Sequence, residues 1–182
     1  MAQTLKGHVA LVTGSTTGLG LGIAKVLGAG GAKVVMNYYN DDERAQRAFT
    51  EFQSVGGEGI LLKANAIDEL AITELVDRAQ SELGAIDIVV PNATPDQPLK
   101  TIEEYDWEFY QQMLNFFIKS PYLLTRAVLS QMKEKGWGRI INISSEVYQL
   151  SVSPFSAYVS AKGGQIGWTR SMSRELAPHG IT

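Results

Sequence analysis

The chain has 182 residues, of which 45% are hydrophobic and 19% charged, as in an ordinary globular domain. Its net charge of -3 offers no basic surface to neutralise phosphates, so nucleic acid is not an expected partner. There is no cysteine and there are two widely separated histidines, His8 and His179, so thiolate metal sites are excluded and a zinc enzyme is disfavoured.

Residues 1–7 lack the apolar stretch of a signal peptide, and no later apolar run reaches the length of a membrane span. We therefore expect a cytoplasmic protein with no membrane partner. From residue 8 onward, short apolar runs alternate with longer amphipathic segments. The runs predict strands at residues 8–12, 33–36, 60–62, 86–90 and 139–143. The amphipathic segments predict helices at residues 19–27, 41–55, 68–83, 106–135 and 157–176.

Strand-helix-strand alternation of this kind predicts one α/β domain over residues 1–182, with a doubly wound parallel sheet of the Rossmann type. Glycines at 28–31 and 56–57 fall where the first two helices should end. Pro121 lies inside the fourth helix and is expected to kink it, because proline removes a backbone donor.

A glycine-rich turn at residues 13–20 joins the first strand to the first helix. Its three glycines, Gly14, Gly18 and Gly20, would let the backbone approach a pyrophosphate, and the helix N-terminus would offer free N–H groups to it. The position after the first strand favours dinucleotide binding. The alternative is a glycine-rich connector without a ligand.

Three residues near the end of the chain could carry catalysis. Tyr158 and Lys162 are one helical turn apart, and a nearby ammonium makes a phenol a better base at neutral pH. Ser145 follows the fifth strand, at the edge where open α/β sheets bind ligands, and could donate to a substrate oxygen. By itself, however, the Tyr158–Lys162 pair would more often be a surface pair.

Together, residues 13–20, 138–145 and 156–162 resemble the short-chain dehydrogenases/reductases. The resemblance implies a catalytic set of Ser145, Tyr158 and Lys162, with Asn115 holding a proton-relay water. Ser144 is the competing serine, but the spacing to Tyr158 selects Ser145. The cofactor contacts implied are Gly14, Ser15, Thr17, Gly18, Leu19, Gly20, Tyr38, Asn65, Ala66, Asn92, Ala93, Tyr158 and Lys162.

The sequence departs from the family at several cofactor positions. Pro91 and Thr94 flank Asn92 and Ala93 where the family usually has asparagine and glycine, and Asn65 replaces an aspartate near the adenine. Tyr38 takes the place of the acid that would reject a 2′-phosphate. We therefore favour NADP(H), with NAD(H) as the alternative, although Thr17 stands where many NADP-preferring relatives are basic.

The resemblance extends from about residue 5 to residue 182, where family members continue into a further strand and a substrate lid. We therefore expect the C-terminal part of the usual fold to be absent from this chain. The favoured function is hydride transfer between NAD(P)(H) and a small carbonyl or secondary alcohol, with residues 146–149 lining the substrate pocket. The alternative is a non-catalytic dinucleotide-binding or interaction module.

The fourth helix and the active-site helix carry more apolar residues than one buried face needs. We therefore expect this surplus to be covered in a homo-oligomer, either a dimer or a tetramer. In family members these two helices pack against their copies. The alternative is that the aromatic residues fill the core of the domain.

Overall fold

The computed structural model describes residues 4–182, so residues 1–3 of the N-terminal stretch lie outside it. The strands are β1 (Val9–Val12), β2 (Lys33–Tyr38), β3 (Glu58–Lys63), β4 (Ile88–Val90) and β5 (Arg139–Ile140). The helices are α1 (Gly18–Ala29), α2 (Asp42–Ser54), α3 (Glu69–Leu83), α4 (Trp107–Leu114), α5 (Ser120–Lys135), α6 (Val147–Leu150) and α7 (Ser156–Leu176). Within residues 4–182, no helix is long and apolar enough to cross a membrane.

The five strands form one parallel sheet in the order β3-β2-β1-β4-β5. The expected doubly wound, Rossmann-type architecture is thereby confirmed. Strand order reverses at β1, whose neighbours are β2 and β4. In open α/β sheets, ligands bind beyond the carboxyl ends of the strands at such a reversal.

Both faces of the central strands are covered, as their continuous apolar sequences predicted. Every residue of β1 is buried. Leu11 belongs to a core cluster with α3 and α5, whereas Ala10 and Val12 belong to a second cluster with α1 and α2. Because alternate strand residues point to opposite faces, a four-residue apolar strand supplies both cores.

The predicted helix over residues 106–135 is interrupted. α4 ends at Leu114, a π-helical segment covers Asn115–Lys119, and α5 begins at Ser120. Pro121 lies in the first turn of α5, so the irregular segment precedes it. The reason is local, since proline cannot donate to the carbonyl four residues earlier and its ring crowds that carbonyl.

The fifth strand is shorter than its apolar run, which extends to residue 143. β5 pairs with β4 only at Arg139 and Ile140, and on its outer side meets a single bridge from Gly138 to Ile181. Ile141 donates to the Val89 carbonyl but is 46% exposed. Residues 142–145 therefore form no strand pairing. They are followed by the short helix α6, which the sequence did not predict.

The apolar residues expected to form an oligomeric contact differ in how exposed they are. Phe117, Leu124 and Val128 are buried within the chain, whereas Tyr122 is 43% exposed. The core therefore accounts for part of the surplus, and the homo-oligomer stays a prediction.

Candidate active site

The glycine-rich turn is held against the end of β4 by hydrogen bonds from one asparagine. The Asn92 amide Nδ2 donates to the carbonyls of Thr13, at 2.9 Å, and Gly14, at 3.1 Å. In return, the Thr13 hydroxyl accepts from the backbone N–H groups of Asn92 and Ala93, both at 3.0 Å. Asn92 therefore fixes the shape of the turn from the neighbouring strand.

Two of the three glycines are required by close contacts inside the turn. A Cβ on Gly20 would lie 2.4 Å from the Gly14 carbonyl oxygen and 2.5 Å from Asn92 Nδ2. Gly14 has a φ of +60°, and a Cβ there would lie 2.9 Å from the Ala93 Cα. Gly18, with a φ of +50°, faces open space, so its requirement is conformational.

The N-terminus of α1 keeps its backbone donors available to a ligand. Thr17, its N-cap, makes no side-chain capping bond, and the first turn contains no acidic residue. By contrast, Asp41, Asp68 and Asp106 cap α2, α3 and α4. Free N–H groups and the positive end of the helix dipole suit a pyrophosphate.

Asn37 is a structural residue of the site that the sequence interpretation missed. It is buried at the end of β2, where its Nδ2 donates to the Leu62 and Ala64 carbonyls at 3.3 and 3.0 Å. Its Oδ1 accepts from the Gly14 N–H at 3.3 Å, and its backbone pairs with Ser15. A lone asparagine within an otherwise apolar strand was the available signal, because a buried amide needs partners.

A cleft of about 860 Å³ crosses the carboxyl edge of the sheet. On the β2–β3 side its wall includes Tyr38, Arg44, Asn65 and Ala66, and the glycine turn forms its middle. On the β4–β5 side its wall consists of Pro91, Asn92, Ala93, Thr94, Pro95, Asp96, Gln97, Gln112, Phe116, Phe117, Ile143, Tyr158 and Lys162. All the expected cofactor contacts except Ser15 line this cleft. Its glycine turn, free helix N-terminus and length across the sheet fit a dinucleotide.

Ser15 is buried, and its hydroxyl accepts from the Asn37 N–H at 2.9 Å. It therefore shapes the turn from behind, and a direct contact with cofactor stays a prediction.

Asn65 lines the cleft while its Oδ1 accepts from the Ile67 N–H at 3.2 Å. A second lone pair on that oxygen is still available for an adenine amino group.

Lys162 is buried on α7, with its ammonium near three groups. The Nζ atom donates to the Ile143 carbonyl at 2.5 Å and to Gln165 Oε1 at 3.1 Å, and lies 4.0 Å from the centre of the Phe117 ring. Burial lowers the pKa of Lys162 to about 8. The Nζ atom is 5.7 Å from the centre of the Tyr158 ring, so phenol and ammonium share one wall of the cleft.

Aromatic contacts fix the Tyr158 ring. It stacks on Phe155, with ring centres 4.7 Å apart, and meets Phe117 edge-on at 5.2 Å. At the start of α7, the Ser156 hydroxyl bonds to the Tyr110 hydroxyl of α4 at 2.6 Å. The phenol therefore projects from a helix that is anchored to α4 and to the π-helical segment.

The two other predicted catalytic residues do not line the cleft. Ser145 is half-buried in the irregular stretch after β5. Asn115 is half-buried at the start of the π-helical segment, whereas Gln112 and Phe116 of the same region face the cleft. Residues 146–149 do not line it either. Within residues 4–182 no cluster of acidic or histidine side chains could hold a metal ion.

Comparison with known proteins agrees with this geometry. The family model described as short chain dehydrogenase matches residues 8–182. The D-beta-hydroxybutyrate dehydrogenase of Cupriavidus necator is 38% identical over 181 residues, covering 98% of this chain and 68% of the relative. The 3-oxoacyl-(acyl-carrier-protein) reductase of Escherichia coli is 34% identical over an alignment that covers 99% of this chain and 72% of the reductase.

Solved structures resemble the whole fold. A metagenomic short-chain oxidoreductase in complex with NADP has a TM-score of 0.91 at 31% identity, covering 98% of this chain and 80% of that one. A short-chain dehydrogenase/reductase mutant from Serratia marcescens has a TM-score of 0.89 at 31% identity, covering 98% and 72%. In each of these comparisons the relative is the longer chain.

Proposed function

Because the chain belongs to the short-chain dehydrogenases and is an NAD(P)-dependent oxidoreductase acting on CH–OH or C=O groups, we propose that Tyr158 is its acid and base. The observation that carries this proposal is the position of Tyr158 and Lys162. Both side chains line the same cleft as the glycine turn, on the β4–β5 side of the strand-order reversal.

In this proposal, each residue on that side of the cleft has a defined task. The bound nicotinamide supplies or accepts the hydride. Tyr158 gives its hydroxyl proton to the substrate oxygen during reduction and removes it during oxidation. The Lys162 ammonium stabilises the phenolate that this transfer leaves, and holds a ribose hydroxyl of the cofactor.

For Ser145 and Asn115 we propose the roles that the family resemblance implies. Ser145 would donate a hydrogen bond to the substrate oxygen as charge develops there. Asn115 would hold a water that returns protons to the Lys162 side. Both roles rest on the family resemblance; along the chain, Asn115 directly precedes Phe116 and Ser145 comes two residues after Ile143, and Phe116 and Ile143 line the cleft.

We propose NADP(H) as the preferred cofactor. No carboxylate ends β2, and Tyr38 occupies that position on the wall of the cleft. Arg44, which the sequence interpretation did not select, lines the same part of the cleft; its guanidinium is 3.4 Å from the Asp41 carboxylate and is exposed enough to turn to a 2′-phosphate. The nearby Asp42 carboxylate is paired with Lys63 at 2.9 Å, which reduces its repulsion of a phosphate.

The proposed substrate is a small ketone or secondary alcohol with further polar groups, such as a sugar, a polyol or a hydroxy acid. Its end of the cleft is bordered by amide and carboxyl side chains, namely Asp96, Gln97 and Gln112. Those groups can hydrogen-bond a small polar molecule. The D-beta-hydroxybutyrate dehydrogenase to which this chain is similar acts on a molecule of that size.

The test is Tyr158→Phe, which removes the phenol oxygen and keeps the ring that stacks on Phe155. We expect turnover of NADPH with a panel of small ketones to fall at least about a thousandfold, because general acid catalysis contributes that order of rate. The NADPH dissociation constant should change less than about threefold, since the variant alters no other cofactor contact. Tyr122→Phe, at an exposed tyrosine of α5 outside the cleft, is the matched control.

Two outcomes would contradict the proposal. If Tyr158→Phe keeps more than a few per cent of the rate, another group is the acid. If the wild-type protein binds NADPH but reduces no ketone and oxidises no alcohol, the non-catalytic dinucleotide-binding module is the better description.

A further inference from the structure

A line of polar side chains on α7 faces the residues that follow β5. Lys162, Gln165 and Thr169 lie on one face of the helix, at positions i, i+3 and i+7. We call these three residues the polar seam. Lys162 and Gln165 are buried, at 3% and 2% exposure. Across from them, Ile143 offers its carbonyl to Lys162, and Asn142 Nδ2 donates to the Thr169 hydroxyl at 3.0 Å.

Within the seam, the Lys162 ammonium has only uncharged acceptors. Its bonds go to the Ile143 carbonyl and to Gln165 Oε1, and its third near neighbour is the Phe117 ring. Among residues 4–182, no ion pair includes Lys162. A buried ammonium without a counter-ion depends on such oxygen atoms, because each one replaces water that burial removed.

Of the two oxygen atoms that accept hydrogen bonds from the Lys162 ammonium, one is the Ile143 backbone carbonyl and the other belongs to the Gln165 side chain. The Ile143 carbonyl alone fixes one N–H direction of the ammonium and leaves the other two free to rotate. A second acceptor, 3.1 Å away and one helical turn further along α7, fixes the orientation of the group. The remaining N–H is then left for the side of Phe117 and Tyr158, whose ring centres lie 4.0 and 5.7 Å from Nζ.

We propose that Gln165 is a positioning residue that orients the Lys162 ammonium toward Tyr158 and the cofactor, an inference that rests on the proposed function. Gln165 is absent from the wall of the cleft, so it acts through Lys162 and touches neither substrate nor cofactor.

The Gln165 amide oxygen also stabilises the charged form of Lys162 and so opposes the effect of burial. Burial lowers the pKa of Lys162 to about 8, and loss of this acceptor should lower it further. The groups that face the ammonium are few. Within residues 4–182 they are, besides Gln165, the Tyr158 phenol on its own helix, the Phe117 ring on the π-helical segment, and the Ile143 carbonyl after β5.

The experiment compares Gln165→Met, Gln165→Glu and Thr169→Val in the full chain. Methionine matches glutamine in length without its amide, and glutamate keeps an acceptor oxygen. Thr169→Val removes a polar contact of the same seam that does not touch Lys162. The first readout is the NMR titration of Lys162 in the cofactor-free protein with ¹³C-labelled lysine, its signal being assigned by its loss in Lys162→Met.

In Gln165→Met we expect the pKa of Lys162 to fall by about one unit, the effect of losing one hydrogen bond to a charged group. In Gln165→Glu it should rise above the wild-type value. The value of kcat should fall about tenfold in Gln165→Met with KM for the ketone nearly unchanged, and Gln165→Glu should recover most of the loss. Thr169→Val should keep both quantities close to wild type.

An unchanged Lys162 titration in Gln165→Met would overturn the proposal, and so would an equal loss of kcat in Thr169→Val. If Gln165→Met does not fold, an unchanged titration in Gln165→Glu overturns it instead. Failure of the proposed function would look different. The wild-type protein would then show no turnover, while the pKa of Lys162 would still change in the Gln165 variants.

Discussion

Replacing Lys162 with methionine should change how the stability of the protein depends on pH. Burial lowers the pKa of the folded-state ammonium from its ordinary 10.5 to about 8. Below pH 8, both folded and unfolded chains carry this proton. Between pH 8 and 10.5 the unfolded chain binds it and the folded chain does not, so the free energy of unfolding rises with pH across that interval.

The size of this effect follows from the difference in pKa between the two states. Over the whole interval it amounts to about 3 kcal/mol of added stability, and between pH 7.5 and 9.5 to about 2 kcal/mol. Lys162→Met has no proton to lose at this position. Its free energy of unfolding should therefore rise by about 2 kcal/mol less than that of the wild type between pH 7.5 and 9.5.

Stability at a single pH would not isolate this effect. At pH 7 the substitution removes the penalty of a buried charge, but it also leaves the Ile143 carbonyl and Gln165 Oε1 without their donor. Each unpaired buried acceptor costs about 1–3 kcal/mol, so gain and loss are of similar size. The change with pH separates the two, because the unpaired acceptors do not titrate.

The assay is urea unfolding of the cofactor-free protein at pH 7.5, 8.5 and 9.5, for the wild type, Lys162→Met and Lys133→Met. Lys133 is exposed on α5, so its variant controls for the loss of one positive charge. The other titrating groups are common to all three proteins and cancel in the differences. If Lys162→Met and the wild type gain the same stability between pH 7.5 and 9.5, the argument from burial is wrong.

Two further predictions concern the cofactor. Asn92→Ala leaves the Thr13 and Gly14 carbonyls without their side-chain donor, so NADPH should bind about tenfold more weakly; a fluorescence titration with a dissociation constant within twofold of wild type would contradict this. Arg44→Ala should weaken NADPH about tenfold and leave NADH nearly unchanged, because only NADPH carries the 2′-phosphate. Equal losses for the two cofactors would count against Arg44 as the phosphate contact, and Arg47→Ala on the same helix is the control.

The features that the sequence predicted well depend on local chemistry. The glycine turn combines positive φ values with close contacts that only glycine tolerates, and these requirements are visible as residue types at fixed spacing. The Tyr158–Lys162 pair is similarly local, since one helical turn brings both to the same face. The strands of the central sheet followed from apolar runs because both of their faces are covered.

The features that it missed depend on contacts between distant segments. The apolar run at residues 139–143 suggests a five-residue strand, but strand length is set by the neighbours that complete a ladder, and here the ladder ends at Ile140. Gln165 was missed for a related reason. Its spacing from Lys162 was visible, but the burial that makes it an ammonium acceptor depends on how α7 packs against residues 142–143.

The π-helical segment shows how a missed local irregularity changes the candidate site. The sequence predicts one regular helix through residues 106–135, with Asn115 as a member of the catalytic set. A π-helical segment at Asn115–Lys119 interrupts that helix, and Gln112, Phe116 and Phe117 line the cleft whereas Asn115 does not. The same segment brings the Phe117 ring to 4.0 Å from Lys162.

Two asparagines at the cleft, Asn37 and Asn92, explain how it can be shaped before any ligand binds. Asn37 joins the ends of β2 and β3 to the glycine turn, and Asn92 joins the end of β4 to the same turn through Thr13. The carboxyl ends of four strands are thus tied by two side-chain amides whose hydrogen bonds hold the glycine turn. Binding then requires little ordering of the backbone, which favours affinity. Substitutions at Asn37 and Asn92 should therefore affect cofactor binding through the shape of the turn, in addition to any direct contact that these cleft-lining residues make.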